Sequence, residues 1–342
     1  MRREVVLITG ANGEIGHGLI KTLGIEKKSK ILALDLRTPD ASLESYCDRF
    51  IQGDILDKML LGRLMAEYEI TTIYHLASIL STKAEYNPET AHEINVEGTM
   101  NLLRLGVEIS QWQGYPVKFI YPSSIAVYGL PDLETKNKVG KIKENQWCRP
   151  ITMYGCNKIY CEHLGRYYSL HYRQLAKDST RKTIDFRCIR FPGLISGDTV
   201  PTGGTSDYGP EMLHSAAKGE PYDCFVREDT RIPFMAMPDA IKALLDLERA
   251  DQSRLTQISY NVTSFSPSAG EIEQMVLKAF PEAKINYQIQ ENRQAIVDSW
   301  PNDVDDSPAR NDWGWSPEFD MNRSFNEYLI PAIKSRYSNI EK

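Results

Sequence analysis

Continuous apolar runs alternate with stretches of helical periodicity through the first half of the chain. Glu4–Thr9 reads EVVLIT, a β-branched run of the kind a strand shows when both its faces are buried. Gly13–Leu23 follows with Ile15, Leu19, Ile20 and Leu23 on one stripe, which predicts a helix. The same alternation predicts strands at Lys30–Leu36, Thr71–Leu76, Val117–Tyr121 and Thr183–Phe191. Helices are predicted at Asp57–Tyr68, Pro88–Trp112 and Tyr154–Gln174. Strands that alternate with helices imply a parallel sheet with right-handed crossovers.

The pattern changes after residue 192. Gly193–Pro210 is rich in Gly, Pro, Thr and Ser and predicts a long loop with no regular element. Beyond it the pattern predicts a helix at Pro238–Arg249, a strand near Ile258–Val262, a helix at Ser268–Phe280, a strand at Lys284–Ile289 and a last helix near Asn322–Lys334. The polar stretch Leu133–Gln146 carries four lysines and predicts a surface insertion. The fold class is α/β: a doubly wound parallel-sheet Rossmann domain over 1–192, with a return segment about 236–263, and a smaller C-terminal α/β substrate lid over 193–235 and 264–342.

Composition narrows the function. A chain of 342 residues with net charge −6 lacks the basic surplus that nucleic acid or an anionic membrane demands. No apolar run approaches the roughly 20 residues needed to cross a bilayer. The first nine residues read as a strand and leave no room for a targeting peptide, so a cytoplasmic location is expected, or the mitochondrial matrix if a presequence has been removed. The six cysteines form no CxxC pair, and no metal site is expected. They read as reduced, mostly buried thiols, Cys156 among them.

Gly10, Gly13 and Gly16 form a GxxGxxG pattern between the first strand and the first helix. That context lets the backbone turn sharply and aims a helix N-terminus at a pyrophosphate. Asp35 ends the second strand, where an acid accepts hydrogen bonds from ribose hydroxyls and repels a 2′-phosphate, which selects NAD over NADP. Asp54, after the third strand, stands at a height where an adenine amino group is read. The expected cofactor contacts are Gly10, Asn12, Gly13, Glu14, Ile15 and Gly16, then Asp35, Leu36 and Arg37, Asp54 and Ile55, Leu76, Ala77 and Ser78, and finally Asn95, Tyr154, Lys158 and Pro192.

Tyr154 and Lys158 stand one helical turn apart, and Ser124 ends the strand before them. Oxidation of a secondary alcohol requires a base within hydrogen-bond reach of the hydroxyl. A tyrosine titrating near pH 10 needs about 3–4 kcal/mol of help to work near pH 7–8. The Lys158 ammonium and a cationic nicotinamide are the expected sources of that help, with Ser124 orienting the alcohol. Ser81, after the fourth strand, and Thr205 and Ser206, in the long loop, add hydroxyls suited to a small zwitterion beneath a closing lid. His75 reads as a packed strand-end residue.

Gly10–Gly16, Asp35, Asp54, His75-Leu76-Ala77, Asn95, Ser124, Tyr154 and Lys158 together resemble the extended short-chain dehydrogenase/reductase family, over nearly the whole chain. The resemblance implies that Asn95 belongs to the active-site framework, that Lys158 holds the nicotinamide ribose, and that Phe191-Pro192-Gly193 touches the carboxamide. Most members act on nucleotide sugars, so an NAD-dependent nucleotide-sugar epimerase is the alternative expectation. Ser124-Ile125-Ala126 lacks the Asp-Glu pair of the dehydratases. His75–Ser81, Arg190–Gly193, Pro201–Tyr208, Pro233–Asp239 and Asp305–Trp315 instead resemble the branch of short-chain-type L-threonine 3-dehydrogenases. That branch implies NAD-dependent oxidation of the threonine 3-hydroxyl to 2-amino-3-oxobutanoate. It also implies a homodimer built on helices Pro88–Trp112 and Tyr154–Gln174, and a metabolic link to a 2-amino-3-oxobutanoate CoA ligase.

Overall fold

The β-branched runs become the strands of one sheet. They are β1 (Arg3–Thr9), β2 (Ile31–Asp35), β3 (Arg49–Gln52), β4 (Tyr68–His75), β5 (Val117–Ser124), β6 (Ile184–Phe191) and β7 (Ser259–Asn261). In this computed structural model, which describes residues 3–176 and 182–338, the seven strands lie in the order β3-β2-β1-β4-β5-β6-β7. β1 pairs in parallel with β2 and β4, and β4 with β5, as crossover connections demand. The order reverses between β1 and β4, and in open parallel sheets such a switch point opens a crevice at the carboxyl strand ends. Every residue of β2 and of β6 is buried, which explains their unbroken apolar or paired character.

The chain divides into two compact units. The first comprises Met1–Ser123, Cys156–Ile189 and Leu244–Ser259. Its core gathers Leu7, Leu32, Ile73, Phe119 and Phe186 from the sheet with Leu102, Leu103 and Cys161 from the covering helices. The helix expected at Pro88–Trp112 is continuous but not uniform: Pro88–His92 and Gly98–Gln113 flank a π-helical turn at Glu93–Glu97. A π turn has no signature in hydrophobic periodicity, and such turns recur at functional sites.

The second unit comprises Ser124–Gly155, Arg190–Ala243 and Tyr260–Lys342. Its strands pair two by two: Gly193–Ile195 with Phe234–Ala236, Tyr222–Cys224 with Ile285–Tyr287, and Lys141–Ile142 with Asp303–Val304. One expectation is corrected here and another refined. Gly193–Pro210 is not wholly irregular, because it starts as a strand and ends inside the helix Tyr208–Lys218. Pro210 sits in the first turn of that helix, where its missing N–H costs nothing. Leu133–Gln146 is mostly exposed, as expected of a surface segment, but it is regular: it holds a helix, Leu133–Lys138, and a paired strand. Lys136 is only 3% exposed and donates to the Val297 carbonyl at 3.0 Å. Helices Glu291–Asp298 and Ser307–Trp313 were not foreseen at all. Among the described residues, no helix is long and apolar enough to cross a membrane.

Candidate active site

The glycine turn follows β1. Gly10 has φ +70°, and a Cβ there would lie 2.5 Å from the Ala77 nitrogen. A Cβ on Gly16 would lie 2.4 Å from the Ala11 carbonyl oxygen. No side chain larger than hydrogen fits either place, so the turn presses onto the segment after β4. Gly13 starts the helix Glu14–Glu26 and offers no side-chain cap. The helix N-terminus therefore keeps N–H groups for an outside anion, and a pyrophosphate fits that cradle.

Asp35 is 8% exposed, and its carboxylate braces this turn. One oxygen accepts from the Asn12 amide at 2.9 Å, and the other from the Arg37 amide at 3.0 Å. Asn12 in turn donates its side-chain amide to the Thr38 carbonyl at 2.7 Å, and the Arg37 guanidinium donates to the Asn12 carbonyl at 2.8 Å. Gly10–Gly16, Asp35 and Arg37 are thus brought together at the ends of β1 and β2. Leu36 is exposed, next to them. After β3, Asp54 accepts from the Leu56 amide at 2.9 Å, and Ile55 is buried. After β4, the Leu76 amide donates to the Thr9 carbonyl at 3.0 Å, which fixes Leu76 and Ala77 beside Gly10.

Asn95 lies in the π turn, 3% exposed. Its carbonyl oxygen accepts from the Ile79 amide at 2.8 Å and the Ser78 hydroxyl at 3.0 Å, while its amide donates back to the Ile79 carbonyl at 3.0 Å. Asn95 therefore holds the Ser78-Ile79 backbone in place. His75 bonds Thr9 at 2.8 Å and Thr99 at 2.9 Å. Burial drives its pKa down to about 3, helped by the Lys158 charge, so it is a neutral strand-end residue.

The helix Met153–Leu170 carries both Tyr154 and Lys158. Tyr154 shares a hydrogen bond with Ser124, at the end of β5. Burial pushes its phenol above the ordinary value, and the Ser124 bond pulls only partway back. The expected lowering is therefore not supplied by the polypeptide alone. Lys158 is 4% exposed, donates to the Pro122 carbonyl at 2.7 Å and stands 4.6 Å from the centre of the Tyr121 ring. Burial draws its pKa down to about 8, against the pull of Cys161, Cys188 and Glu162. The Ser124 hydroxyl also accepts from the Ala126 amide at 3.2 Å, which starts a short 3-10 turn.

Of the hydroxyls expected at the substrate, Ser81 opens the helix Ser81–Tyr86 in the first unit and is 8% exposed. Thr205 and Ser206 belong to the second unit. Thr205 is 3% exposed, in a turn tied by Asp207 to the Gly204 amide at 2.6 Å and by Arg293 to the Gly204 carbonyl at 2.8 Å. Pro192 is buried between β6 and Gly193–Ile195. Cys156 departs from expectation: it is exposed, because its turn of the helix points away from the Lys158 stripe. Two residues went unforeseen. Thr9 joins β1 to His75. Glu162, 4% exposed, accepts from the Ser123 hydroxyl at 2.6 Å. Its position two helical turns after Tyr154 was the available signal.

Known proteins are similar to this chain in sequence and fold. The chain is 35% identical over 327 residues to the mitochondrial L-threonine 3-dehydrogenase of Bos taurus, covering 93% of this chain and 80% of that one. A monomeric L-threonine 3-dehydrogenase from a metagenome superposes with TM-score 0.83 at 35% identity, over 99% of this chain and 100% of the other. L-threonine dehydrogenase from Clostridium difficile does so with TM-score 0.84 at 32% identity, over 98% and 99%. A sequence profile matches residues 6–263, and by that match the chain belongs to the NAD dependent epimerase/dehydratase family.

Proposed function

We propose that this chain oxidises the 3-hydroxyl of L-threonine to 2-amino-3-oxobutanoate with NAD as acceptor. The observation that carries the chemistry is the Tyr154–Ser124 hydrogen bond, with Lys158 one turn along the same helix. The substrate rests on the relatives, whose names specify L-threonine. Nothing in the site favours the nucleotide-sugar epimerase reading over it.

Gly10–Gly16 would hold the pyrophosphate, Asp35 the adenosine ribose, and Lys158 the nicotinamide ribose. The remaining contacts would come from Asn12, Glu14, Ile15, Leu36, Arg37, Asp54, Ile55, Leu76, Ala77, Ser78, Asn95 and Pro192. When bound, NAD supplies the hydride acceptor and a positive charge. Tyr154, as phenolate, takes the proton of the substrate hydroxyl. Ser124 donates to the same oxygen and fixes its direction. Lys158 would keep a positive charge near the phenolate and, together with the charge that bound NAD adds, would offset the burial penalty that the polypeptide alone does not. Ser81, Thr205 and Ser206 would donate to the substrate carboxylate.

The exposed Tyr160, Tyr167 and Leu170 on the helix Met153–Leu170, and Trp112 on Gly98–Gln113, support a homodimer through these two helices. The product is a β-keto acid, suited to a CoA-dependent ligase in the same compartment, which we propose to be the cytoplasm, or the mitochondrion by likeness to the mitochondrial Bos taurus enzyme. The test is direct: protein, NAD and L-threonine are mixed and NADH absorbance is followed. A threonine-dependent rise is expected. No rise with threonine, together with turnover of a nucleotide sugar, overturns the reading.

A further inference from the structure

Positions 154, 158 and 162 form one stripe on the helix Met153–Leu170, and each engages one of three consecutive residues at the end of β5. Tyr154 bonds Ser124, Lys158 donates to the Pro122 carbonyl at 2.7 Å, and Glu162 accepts from the Ser123 hydroxyl at 2.6 Å. The first two contacts belong to the reaction. The third is a buried carboxylate, 4% exposed, which the reaction as described does not use.

A buried carboxylate is costly unless something needs its charge. The Ser123 hydroxyl is one partner of that carboxylate. Lys158 gives its charge a use: it lies one turn earlier on the same stripe, and its side chain is buried. We propose that Glu162 is a positioning residue that keeps Lys158 protonated in the working enzyme, with Ser123 fixing the carboxylate beneath it.

The other groups that face Lys158 do not fill this role. His75 on β4 is neutral and adds no negative charge. Tyr121 and the Pro122 carbonyl on β5 offer a ring face and a dipole. Cys161, on the same helix, is a thiol that burial raises further, so it stays uncharged near neutral pH. Cys188 on β6 is a fully buried thiol. Tyr154 is charged only in part of the cycle. Among the described groups that act on Lys158, Glu162 is the carboxylate. Burial has already drawn Lys158 down to about 8, so a small further fall neutralises it in the pH range where the reaction runs.

This deepens the threonine-oxidation reading and rests on it for the role of Lys158. The test has one readout that does not. Cofactor-free protein labelled with 13C at the lysine ε-carbons is titrated by NMR, with the Lys158 signal assigned through Lys158→Arg. In Glu162→Gln, which keeps an acceptor for Ser123 but loses the charge, the Lys158 midpoint is expected to fall by about one pH unit. The alkaline limb of threonine-dependent kcat should fall by the same amount, a loss of about tenfold at pH 9. In Ser123→Ala, which loses the hydrogen bond but keeps the charge, the Lys158 midpoint should stay near the wild-type value. Where Glu162→Gln fails to fold, Glu162→Met replaces it with the same expected fall. An unmoved Lys158 midpoint in a folded neutral variant overturns the proposal, as does an equal fall in Ser123→Ala, which would make the pair merely structural. Wild-type protein that leaves threonine untouched overturns the function above, and the NMR midpoint still judges Glu162.

Discussion

Removing the Asp35 carboxylate separates two roles that the same group is assigned. The sequence assigns it to ribose hydroxyls; the structure shows it bracing the glycine turn through the Asn12 amide at 2.9 Å and the Arg37 amide at 3.0 Å. A carboxylate has about four acceptor positions, so both roles are chemically compatible. Asp35→Ala removes both. The Arg37 side chain is 66% exposed, and its 3.4 Å contact with Asp35 contributes little. Water also replaces the bond to the exposed Arg37 amide. The bond to the half-buried Asn12 amide is charge-assisted and closes the turn, so its loss costs about 2 kcal/mol. In a chain of this size that is a fall of about 3 °C in Tm.

The ribose role adds a second, independent loss. Charge-assisted hydrogen bonds to a bound ribose stabilise it by about 1.5–3 kcal/mol, so Kd for NAD should rise about 10–100-fold. The repulsion of a 2′-phosphate also disappears, and the ratio of NADP to NAD affinity should rise. Thermal melts of the free protein read the first loss, and calorimetric titration with NAD and NADP reads the second. A lower Tm with unchanged Kd values would refute the ribose role and leave Asp35 as a brace alone. An unchanged Tm with weakened NAD binding would refute the bracing argument.

Two further outcomes are expected. Tyr154→Phe keeps the ring but removes the proton acceptor, so threonine-dependent NADH formation should fall about a thousandfold while calorimetry shows NAD binding nearly intact; residual activity near wild type would mean that another group is the base. Lys136 is buried and its pKa is drawn down from 10.5 to about 8, chiefly by burial. Its folded pKa lies below the unfolded one, so the folded state gains stability as pH rises from about 8 toward 10.5, by about 3 kcal/mol at most. Lys136→Met should remove that gain, and denaturant titrations at pH 7 and pH 10 that give the same mutant-minus-wild-type difference would refute it.

The first unit was legible because its elements declare themselves locally. β2 and β6 are buried on both faces, and such strands must be unbroken apolar runs or carry polar groups paired inside, as Arg187 and Asp185 are at 2.7 Å. The second unit is built otherwise. Ile285–Tyr287 lies inside the strand expected at Lys284–Ile289, but Gly193–Ile195, Tyr222–Cys224 and Asp303–Val304 are unforeseen strands of two or three residues. Each is a strand only because a distant segment pairs with it, and no window of sequence contains both partners. Helix Tyr208–Lys218 was hidden by Gly209 and Pro210, which read as loop punctuation until the helix start is known. Lys136 misled for a related reason: its polarity suggested solvent, but one carbonyl 161 residues away satisfies it.

The site shows the same division between what is local and what is not. Tyr154 and Lys158 are visible as a helical pair, and Glu162 extends their spacing by one more turn. Spacing alone does not say which polar residue on a helix is buried or what it meets. That depends on the end of β5, where Pro122, Ser123 and Ser124 present a carbonyl and two hydroxyls to successive turns of the helix. Tyr154 meets Ser124, Lys158 meets Pro122 and Glu162 meets Ser123, and the three contacts together set the depth and the rotation of the helix against the strand. A shift of either would part Tyr154 from Ser124, Lys158 from the Pro122 carbonyl and Glu162 from the Ser123 hydroxyl. These buried polar contacts therefore hold Tyr154 and the Ser124 hydroxyl in register, at a cost in stability that an apolar stripe would avoid.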